Sequence, residues 1–356
     1  MSHSVLIFPG GLPESQRIRD EVRASGYRVL GASALSYDPA AGSYDVWEHL
    51  PYVHHVNFVE RLTQVVLEHQ ISTIYSPHEV TSSVLAELLP KIAPNVRLIA
   101  PNPLLRTEEV YRKALTKAQM ATDSQWFGLS GGARRPPPLV RAGYIRLIDT
   151  IPGMTDMDKI DALFEVMRHA VEGDIVEIGS WWGRSAALFT LLSQHYSVGS
   201  VLCVDPWQSD RLDQGVKVLD DASARMDTEH AFNIFQMNLA PLSKGDLNYC
   251  RATSEAAATV YEAGFRVANE TFGETRYTGS ISILHIDGNH SLEQVSTDAR
   301  LWCPLVKPGG WIIFDDYVWA FGDGPMRVGD AYLEQNGHLI DLSFVMGTAL
   351  FIKLAA

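Results

Sequence analysis

The first part of the chain alternates short apolar runs with longer segments in which apolar residues recur every three or four positions. The short runs predict buried strands, and the periodic segments predict amphipathic helices. We expect strands at 5–8, 27–30, 72–75 and 96–100, and helices at 14–24, 58–69 and 81–92. Because strands that alternate with helices form parallel sheets covered on both faces, this pattern predicts a small doubly wound α/β domain.

The second half repeats the alternation around a strand at 175–178, which is followed by Gly179, Gly183 and a helix that begins near Arg184. Glycines in this turn let the backbone approach a ligand closely. The next strand, 200–204, ends at Asp205. An acid at that position can accept hydrogen bonds from a ribose. The pattern therefore predicts a second doubly wound domain with a ligand at the carboxyl edge of its sheet.

A nicotinamide-binding turn is the main alternative for this loop. Its fingerprint is Gly-x-Gly-x-x-Gly, in which the glycines crowd against a pyrophosphate. Here the spacing is Gly-x-x-x-Gly, and the bulky Trp181 and Trp182 lie inside the loop. A glycine turn that binds no ligand is the other alternative. The acids further along the chain weigh against both.

A stretch rich in glycine and serine, which ends in three successive prolines, predicts a linker at 128–140. It divides the chain into an N-terminal domain, 1–127, and a C-terminal domain, 141–356. After the linker, Thr155 is the expected N-cap of a helix that runs to about residue 171. This helix leads into the strand at 175–178.

Composition narrows the class of protein. The chain has 356 residues and a net charge of −13, without a run of Lys or Arg beyond Arg134-Arg135, so nucleic acid is not an expected partner. No apolar stretch reaches the length of a membrane span, and the N-terminus lacks the pattern of a signal peptide. Three cysteines without Cys-x-x-Cys spacing are expected to be reduced core residues. We expect a cytoplasmic protein that does not bind membranes.

Three carboxylates follow two more strand-like runs. Asp287 ends the run at 281–286, and Asp315 and Asp316 end the run at 311–314, which follows an expected turn at 306–310. The carboxyl ends of parallel strands meet at one edge, so these acids should converge there. A divalent cation would relieve their repulsion, and hard oxygen ligands suit Mg²⁺ or Mn²⁺. The alternative is that these acids cap helices or pair with Arg and Lys.

The order Glu-x-Gly-x-x-x-Gly-x-Ser, strand, Asp resembles the cofactor loop of class I S-adenosylmethionine methyltransferases. The resemblance implies S-adenosylmethionine as cofactor, with the methionine part near the glycines and the ribose at Asp205. Trp207 is either a wall of the adenine site or a core residue. The cofactor-binding residues implied by the resemblance are Glu177, Gly179, Ser180, Gly183, Ser185, Asp205, Trp207 and Ser254.

A second resemblance covers about residues 150–335 and rests on His-Ile-Asp-Gly-Asn-His, Leu-Val-Lys-Pro-Gly-Gly and Phe-Asp-Asp-Tyr. These motifs look like those of metal-dependent sugar O-methyltransferases typified by the macrocin and mycinamicin enzymes. The resemblance implies that Asp287, Asp315 and Asp316 hold magnesium and that His290 is the general base. The alternative for His290 is a residue that orients Asp287. Some relatives have Asp where this chain has Asn289, and a role for that Asp cannot be transferred.

The passage at 101–117 resembles the end of the N-terminal domain of ATP-grasp enzymes. This diffuse match covers about 120 residues and implies a Rossmann-like fold without an ATP site. Together the chain is expected to be an enzyme with two doubly wound α/β domains, which transfers a methyl group to a hydroxyl of a sugar or natural-product acceptor. Relatives form oligomers, so a homo-oligomer is expected. The alternatives are a metal-dependent hydroxylase of the cephalosporin hydroxylase type, a catechol-type O-methyltransferase and a non-catalytic binding or assembly protein.

Overall fold

A computed structural model describes residues 4–100, 104–122, 129 and 131–356 of the chain. The chain divides into two compact units, Met1–Lys113 and Ala114–Ala356. Residues 128 and 130 of the predicted linker and 101–103 of the ATP-grasp-like passage lie outside the described residues. The boundaries predicted at 127 and 141 stay a prediction. Among the described residues, no helix is both long and apolar enough to cross a membrane.

The first unit is built on a parallel sheet of five strands in the order β3-β2-β1-β4-β5. Its strands are β1 (Ser4–Ile7), β2 (Arg28–Ser33), β3 (Val46–His49), β4 (Ile71–Tyr75) and β5 (Arg97–Ile99). Its helices are α1 (Pro13–Ala24), α2 (Phe58–Glu68) and α3 (Glu79–Ile92), and α4 (Leu104–Thr122) crosses the boundary between the units.

Alternation along β1 divides the apolar core of this unit between the two faces of the sheet. Leu6 belongs to the cluster that contains Phe58 of α2, whereas Val5 belongs to the one that contains Ile18 of α1. The predicted doubly wound arrangement is therefore confirmed. The strand β3 was not predicted, because its Val-Trp-Glu-His sequence lacks an apolar run and none of its residues is fully buried.

The second unit is built on a sheet of seven strands in the order β13-β14-β12-β11-β6-β7-β8. Pairing is parallel from β8 to β12 across the sheet, and β13 and β14 are antiparallel. A separate hairpin joins β9 to β10. The strands are β6 (Asp174–Ile178), β7 (Val201–Val204), β8 (Leu247–Cys250), β9 (Arg266–Asn269), β10 (Gly273–Arg276), β11 (Ile281–Ile286), β12 (Val306–Phe314), β13 (Ile340–Met346) and β14 (Ala349–Leu354).

Helices cover both faces of this sheet, and two large core clusters divide its strands by alternation: Val176 lies in one and Ile175 in the other. The second doubly wound domain is thus confirmed. The helices are α5 (Pro138–Asp149), α6 (Met157–Arg168), α7 (Arg184–Tyr196), α8 (Lys217–Ser223), α9 (Thr228–Leu239), α10 (Ser254–Val260), α11 (Leu292–Trp302) and α12 (Gly324–Asn336).

Two local predictions were wrong. The N-cap of α6 is Asp156 rather than Thr155, because the Asp156 carboxylate accepts a hydrogen bond from the Lys159 amide at 2.8 Å. The expected turn at 306–310 lies inside β12, where Val306 pairs with Ile281 and Trp311 already pairs with Ile283. The extra residues between them form an irregularity in the strand rather than a separate turn.

Candidate functional site

The carboxyl ends of β6, β7, β11 and β12 lie at one edge of the seven-stranded sheet, as the parallel pairing requires. The glycine loop, 179–183, follows β6, and Asp205 follows β7. Gly179 has φ of 84° and Gly183 has φ of 87°, a conformation that favours glycine. Gly183 is also the N-cap of α7, so the loop opens directly onto a helix N-terminus.

Asp205 holds the glycine loop in place. Its Oδ2 accepts hydrogen bonds from the amides of Ser180 at 3.0 Å and Trp181 at 2.9 Å, and its Oδ1 accepts one from the Trp207 amide at 2.7 Å. Burial raises the pKa of Asp205, although these amide donors act in the opposite direction. Each oxygen already has a partner, so a ribose would have to share this carboxylate with the loop.

Trp207 is a core residue by its surroundings. Its side chain is 1% exposed, packs against Phe232 and Phe235 with ring centroids 5.0 and 4.7 Å away, and donates from Nε1 to the Trp181 carbonyl at 2.9 Å. This burial favours the core alternative over an adenine wall. Ser254 is also buried, and its Oγ accepts a hydrogen bond from Trp302 at 2.8 Å.

Glu177 links the glycine loop to the next strand. It is fully buried, and its carboxylate accepts a hydrogen bond from the Ser180 hydroxyl at 2.6 Å and contacts Nδ1 of His285 at 3.0 Å. Ser185 is buried in the first turn of α7. Hydrogen bonds at the glycine loop therefore involve three of the sequence-predicted cofactor residues, namely Glu177, Ser180 and Asp205.

The acid cluster, which comprises Asp287, Asp315 and Asp316, lies at the ends of β11 and β12. The Asp287 amide donates to the Ile178 carbonyl at 2.8 Å, which places the cluster directly beside the glycine loop. His290 Nε2 lies 3.8 Å from Asp287 Oδ1 and 3.3 Å from Asp316 Oδ2. Burial acts to lower the pKa of His290, but the Asp287 and Asp316 carboxylates outweigh it and raise that pKa.

Two charged residues of this site were not predicted from the sequence. Lys159 of α6 is 1% exposed, and its ammonium donates to Asp315 Oδ2 and lies 3.8 Å from Asp287 Oδ2. His285 of β11 is fully buried, with Nε2 3.7 Å from Asp315 Oδ2 and 3.9 Å from Asp287 Oδ2. His285 precedes Asp287 by two positions and so shares its face of the strand, which was the available signal.

Lys159 and His285 change the sequence-based argument that only a divalent cation would relieve the repulsion among the three carboxylates. Lys159 already compensates part of the negative charge, because it lowers the pKa of Asp315 well below its usual range despite burial. Burial and Lys159 act to lower the pKa of His285, but Asp315, Glu177 and Asp287 raise it to about 9. Burial, followed by the Asp315 charge, raises the pKa of both Asp287 and Asp316. Among the described residues, the ion-pair contacts of Asp287 Oδ1 and Asp316 Oδ2 are with the imidazole of His290 rather than with Lys159.

The remaining donor atoms fit a divalent cation. Within the described part of the chain, two groups have ligand atoms that all lie within 4.8 Å of one another: His285, Asp287 and Asp315, and Asp287, His290 and Asp316. His285 Nε2 and both ring nitrogens of His290 are buried without a hydrogen-bond partner among these residues. Oxygen-rich donor sets of this kind suit Mg²⁺ or Mn²⁺.

Aromatic and polar residues surround His290. The Trp319 ring lies 4.7 Å from the His290 ring, between centroids, and Phe321 follows at 5.6 Å from Trp319. The His290 amide donates to the Gln214 side chain at 2.8 Å, and Asn289 donates to the Asp213 carbonyl at 2.5 Å. The segment between β7 and α8 therefore contacts the loop that carries His290.

Comparisons with known proteins found matches of limited similarity. The solved structures that match include the O-methyltransferase NovP, at 17% identity and a TM-score of 0.43, over 56% of this chain and 80% of NovP. They also include MycE, a methyltransferase from the mycinamycin biosynthetic pathway in complex with Mg, SAH and mycinamycin VI, at 14% identity and a TM-score of 0.39. That match covers 63% of this chain and 55% of MycE, so the chain spans about half of MycE.

A third is CalS11, a TDP-rhamnose 3'-O-methyltransferase of calicheamicin biosynthesis, at 14% identity and a TM-score of 0.36, over 71% of this chain and 95% of CalS11. These values are too low to carry any of the three activities over to this chain. No curated protein matches the sequence. A family model for a methyltransferase domain matches residues 176–317, which contain both the glycine loop and the acid cluster. Residues 176–317 of this chain are therefore similar to a methyltransferase domain.

Proposed function

We propose that the chain transfers a methyl group from S-adenosylmethionine to a hydroxyl of a sugar or natural-product acceptor, with Mg²⁺ or Mn²⁺ as metal. The observation that carries this proposal is the position of the acid cluster beside the glycine loop, within the residues that match a methyltransferase domain. The choice of a sugar or natural-product acceptor follows from the resemblance of the motifs around Asp287 and Asp315 to those of metal-dependent sugar O-methyltransferases.

Residues after β6 and β7 serve the cofactor, and residues after β11 and β12 serve the metal and the acceptor. The glycine loop and Asp205 bind the cofactor, while Asp287 and Asp316 are the accessible carboxylates for the metal. When bound, a divalent cation supplies positive charge that lowers the pKa of an acceptor hydroxyl. His290 Nε2 takes the hydroxyl proton, since this nitrogen has no hydrogen-bond partner within the described residues.

The reaction is a nucleophilic substitution at the methyl carbon of the cofactor. The acceptor oxygen forms a bond to the methyl carbon, the bond between sulfur and that carbon breaks, and S-adenosylhomocysteine leaves with the electron pair on sulfur. The proton ends on His290 and then passes to solvent. Because the glycine loop and acid cluster share one sheet edge, the chain can hold donor and acceptor in line.

The test is S-adenosylhomocysteine formation with a panel of sugars, sugar nucleotides and catechols, with Mg²⁺ and after chelation. Mutation of a residue that only supports a metal ligand lowers metal affinity or activity by about 10–100-fold. Loss of a ligand itself should cost more, so Asp287→Asn and Asp316→Asn should each lower turnover at least 100-fold. Asp341→Asn, which alters an exposed ion pair with Lys353, is the matched control. Full turnover in both cluster variants after chelation would refute the metal mechanism.

The base assignment needs its own experiment. His290→Ala should lose turnover but recover part of it with added imidazole, whereas a residue that only orients Asp287 would not be rescued in this way.

We also propose a homo-oligomer, to be tested by light scattering. A cytoplasmic location is supported by the free cysteines Cys203, Cys250 and Cys303, which suit a reducing compartment.

A further inference from the structure

We propose that Lys159 is a built-in cation that takes Asp315 out of the metal's ligand set, so that Asp287 and Asp316 are the carboxylates that bind the divalent cation. The inference rests on the proposed function, because it concerns the same metal site. It departs from the sequence-based expectation that all three acids are ligands. Lys159 is thus a positioning residue of the site.

The first argument is the state of the Asp315 carboxylate. Its Oδ2 accepts from the Lys159 ammonium, and its Oδ1 accepts from the Asp316 amide at 2.9 Å and the Thr348 hydroxyl at 3.4 Å. Both oxygens are therefore used by donors of the chain itself. The Asp315 side chain is 8% exposed, whereas those of Asp287 and Asp316 are each 24% exposed.

The second argument is the direction of the other two carboxylates. Asp287 Oδ1 and Asp316 Oδ2 both face His290 Nε2, at 3.8 and 3.3 Å, on the side away from the Lys159 contact. Asp287, His290 and Asp316 form one of the two groups with ligand-atom spacing, and only its two carboxylates are assigned to the metal, since His290 is the base of the proposed function. The other group includes Asp315 and has the Lys159 ammonium beside it. A second cation there would meet direct repulsion.

The third argument is how firmly Lys159 is held. Its amide donates to the Asp156 carboxylate at 2.8 Å, and that carboxylate also accepts from the Thr348 amide at 3.3 Å. Thr348 in turn contacts Asp315, so Lys159, Asp156, Thr348 and Asp315 form a closed ring of hydrogen bonds. This ring fixes the ammonium against Asp315. Two carboxylates with waters and acceptor oxygens are sufficient for Mg²⁺, which usually keeps several waters.

The experiment is a titration of the full chain with Mg²⁺ by calorimetry and with Mn²⁺ by electron paramagnetic resonance, without cofactor or acceptor. Lys159→Met should tighten metal binding at least tenfold, because it removes a positive charge that lies 3.8 Å from Asp287. Lys307→Met is the matched control. It removes the same charge at the opposite end of β12, where Lys307 bonds the Glu172 carbonyl, and should leave the affinity unchanged.

The double variant Lys159→Met/Asp315→Asn makes the decisive comparison. It removes both members of the buried pair and leaves the net charge unchanged, so affinity should stay within about threefold of the unmodified chain. Lys159→Met/Asp316→Asn has the same charge change but removes an inferred ligand, and should bind at least tenfold more weakly. Circular dichroism confirms that each variant is folded.

Equal loss of affinity in the two double variants would overturn the inference, because Asp315 would then be a ligand. Unchanged affinity in a folded Lys159→Met variant would also overturn it. If Lys159→Met does not fold, the double variants still decide, since neither keeps the lysine. If the unmodified chain binds neither Mg²⁺ nor Mn²⁺, the metal part of the proposed function fails as well, which separates that failure from one of this inference alone.

Discussion

Gly179 connects the cofactor loop to the acid cluster, and its replacement by alanine gives the sharpest test of that connection. A Cβ atom at this position would lie 2.5 Å from the Asp287 carbonyl carbon and 2.7 Å from Gly288 Cα. These are backbone atoms, so the conflict cannot be relieved by a side-chain rotation. The backbone of Asp287 would have to move, and its carboxylate would move with it.

Two contributions make up the loss of stability that we expect for Gly179→Ala. A residue with a side chain at φ of 84° costs about 1–2 kcal/mol relative to glycine. Displacement of packed atoms adds about 1–3 kcal/mol. We therefore expect Gly179→Ala to destabilise the second unit by about 2–5 kcal/mol, which for a unit of this size lowers the melting temperature by at least about 4 °C.

Calorimetric melting and Mg²⁺ titration are the assays. Gly273→Ala is the matched control, because Gly273 has φ of 73° but no atom within 4 Å of the added Cβ. It should show the backbone cost alone and normal metal affinity. Equal losses of stability in the two variants, or normal metal binding by Gly179→Ala, would refute the steric link between the glycine loop and Asp287.

Three further outcomes are expected. Burial and Asp315 raise the pKa of Asp287 to about 7, so Mg²⁺ affinity should fall by up to about tenfold per unit as pH drops below 7; affinity that is constant from pH 6 to 8 would contradict this. Asp205→Asn places an amide group against the amides of Ser180 and Trp181, so calorimetry should show cofactor affinity at least tenfold lower. Trp207→Ala should lower the free energy of unfolding by about 3–5 kcal/mol, measured by thermal unfolding, because the side chain is buried. Trp207→Phe should keep the cofactor affinity of the unmodified chain. Loss of cofactor binding in a stable Trp207→Phe variant would instead support the adenine-wall alternative.

Strands and helices with a clear apolar period were predictable from the sequence. The strand at 175–178 and the helix from Arg184 match β6 and α7 closely. The convergence of Asp287, Asp315 and Asp316 also followed from parallel topology alone. By contrast, β3 is a partly exposed strand with Glu and His in its middle and end, so its pattern does not differ from that of a loop.

Lys159 shows why the rest of the site was not predictable. Along the sequence it is a charged residue in the first turns of an amphipathic helix, where solvent exposure is the usual outcome. Its burial depends on how α6 packs against α7 and β13, and its partner Asp315 is 156 positions away. A contact between residues so far apart in the sequence leaves no signal in the local pattern around either residue. His285 carried a signal through its alternation with Asp287, but a buried histidine in a strand has no periodicity of its own.

The order of strands in the second sheet has a consequence for biosynthesis. β12, which positions Asp315, lies between β11 and β14, and β14 pairs with β13 on its other side. Thr348, which bonds both Asp156 and Asp315, lies in the turn between these two late strands. A nascent chain that has emerged only to residue 339 contains every acid of the cluster but leaves one edge of β12 without its neighbour. The site can therefore be completed only after residues 340–354 have left the ribosome and added to the sheet edge.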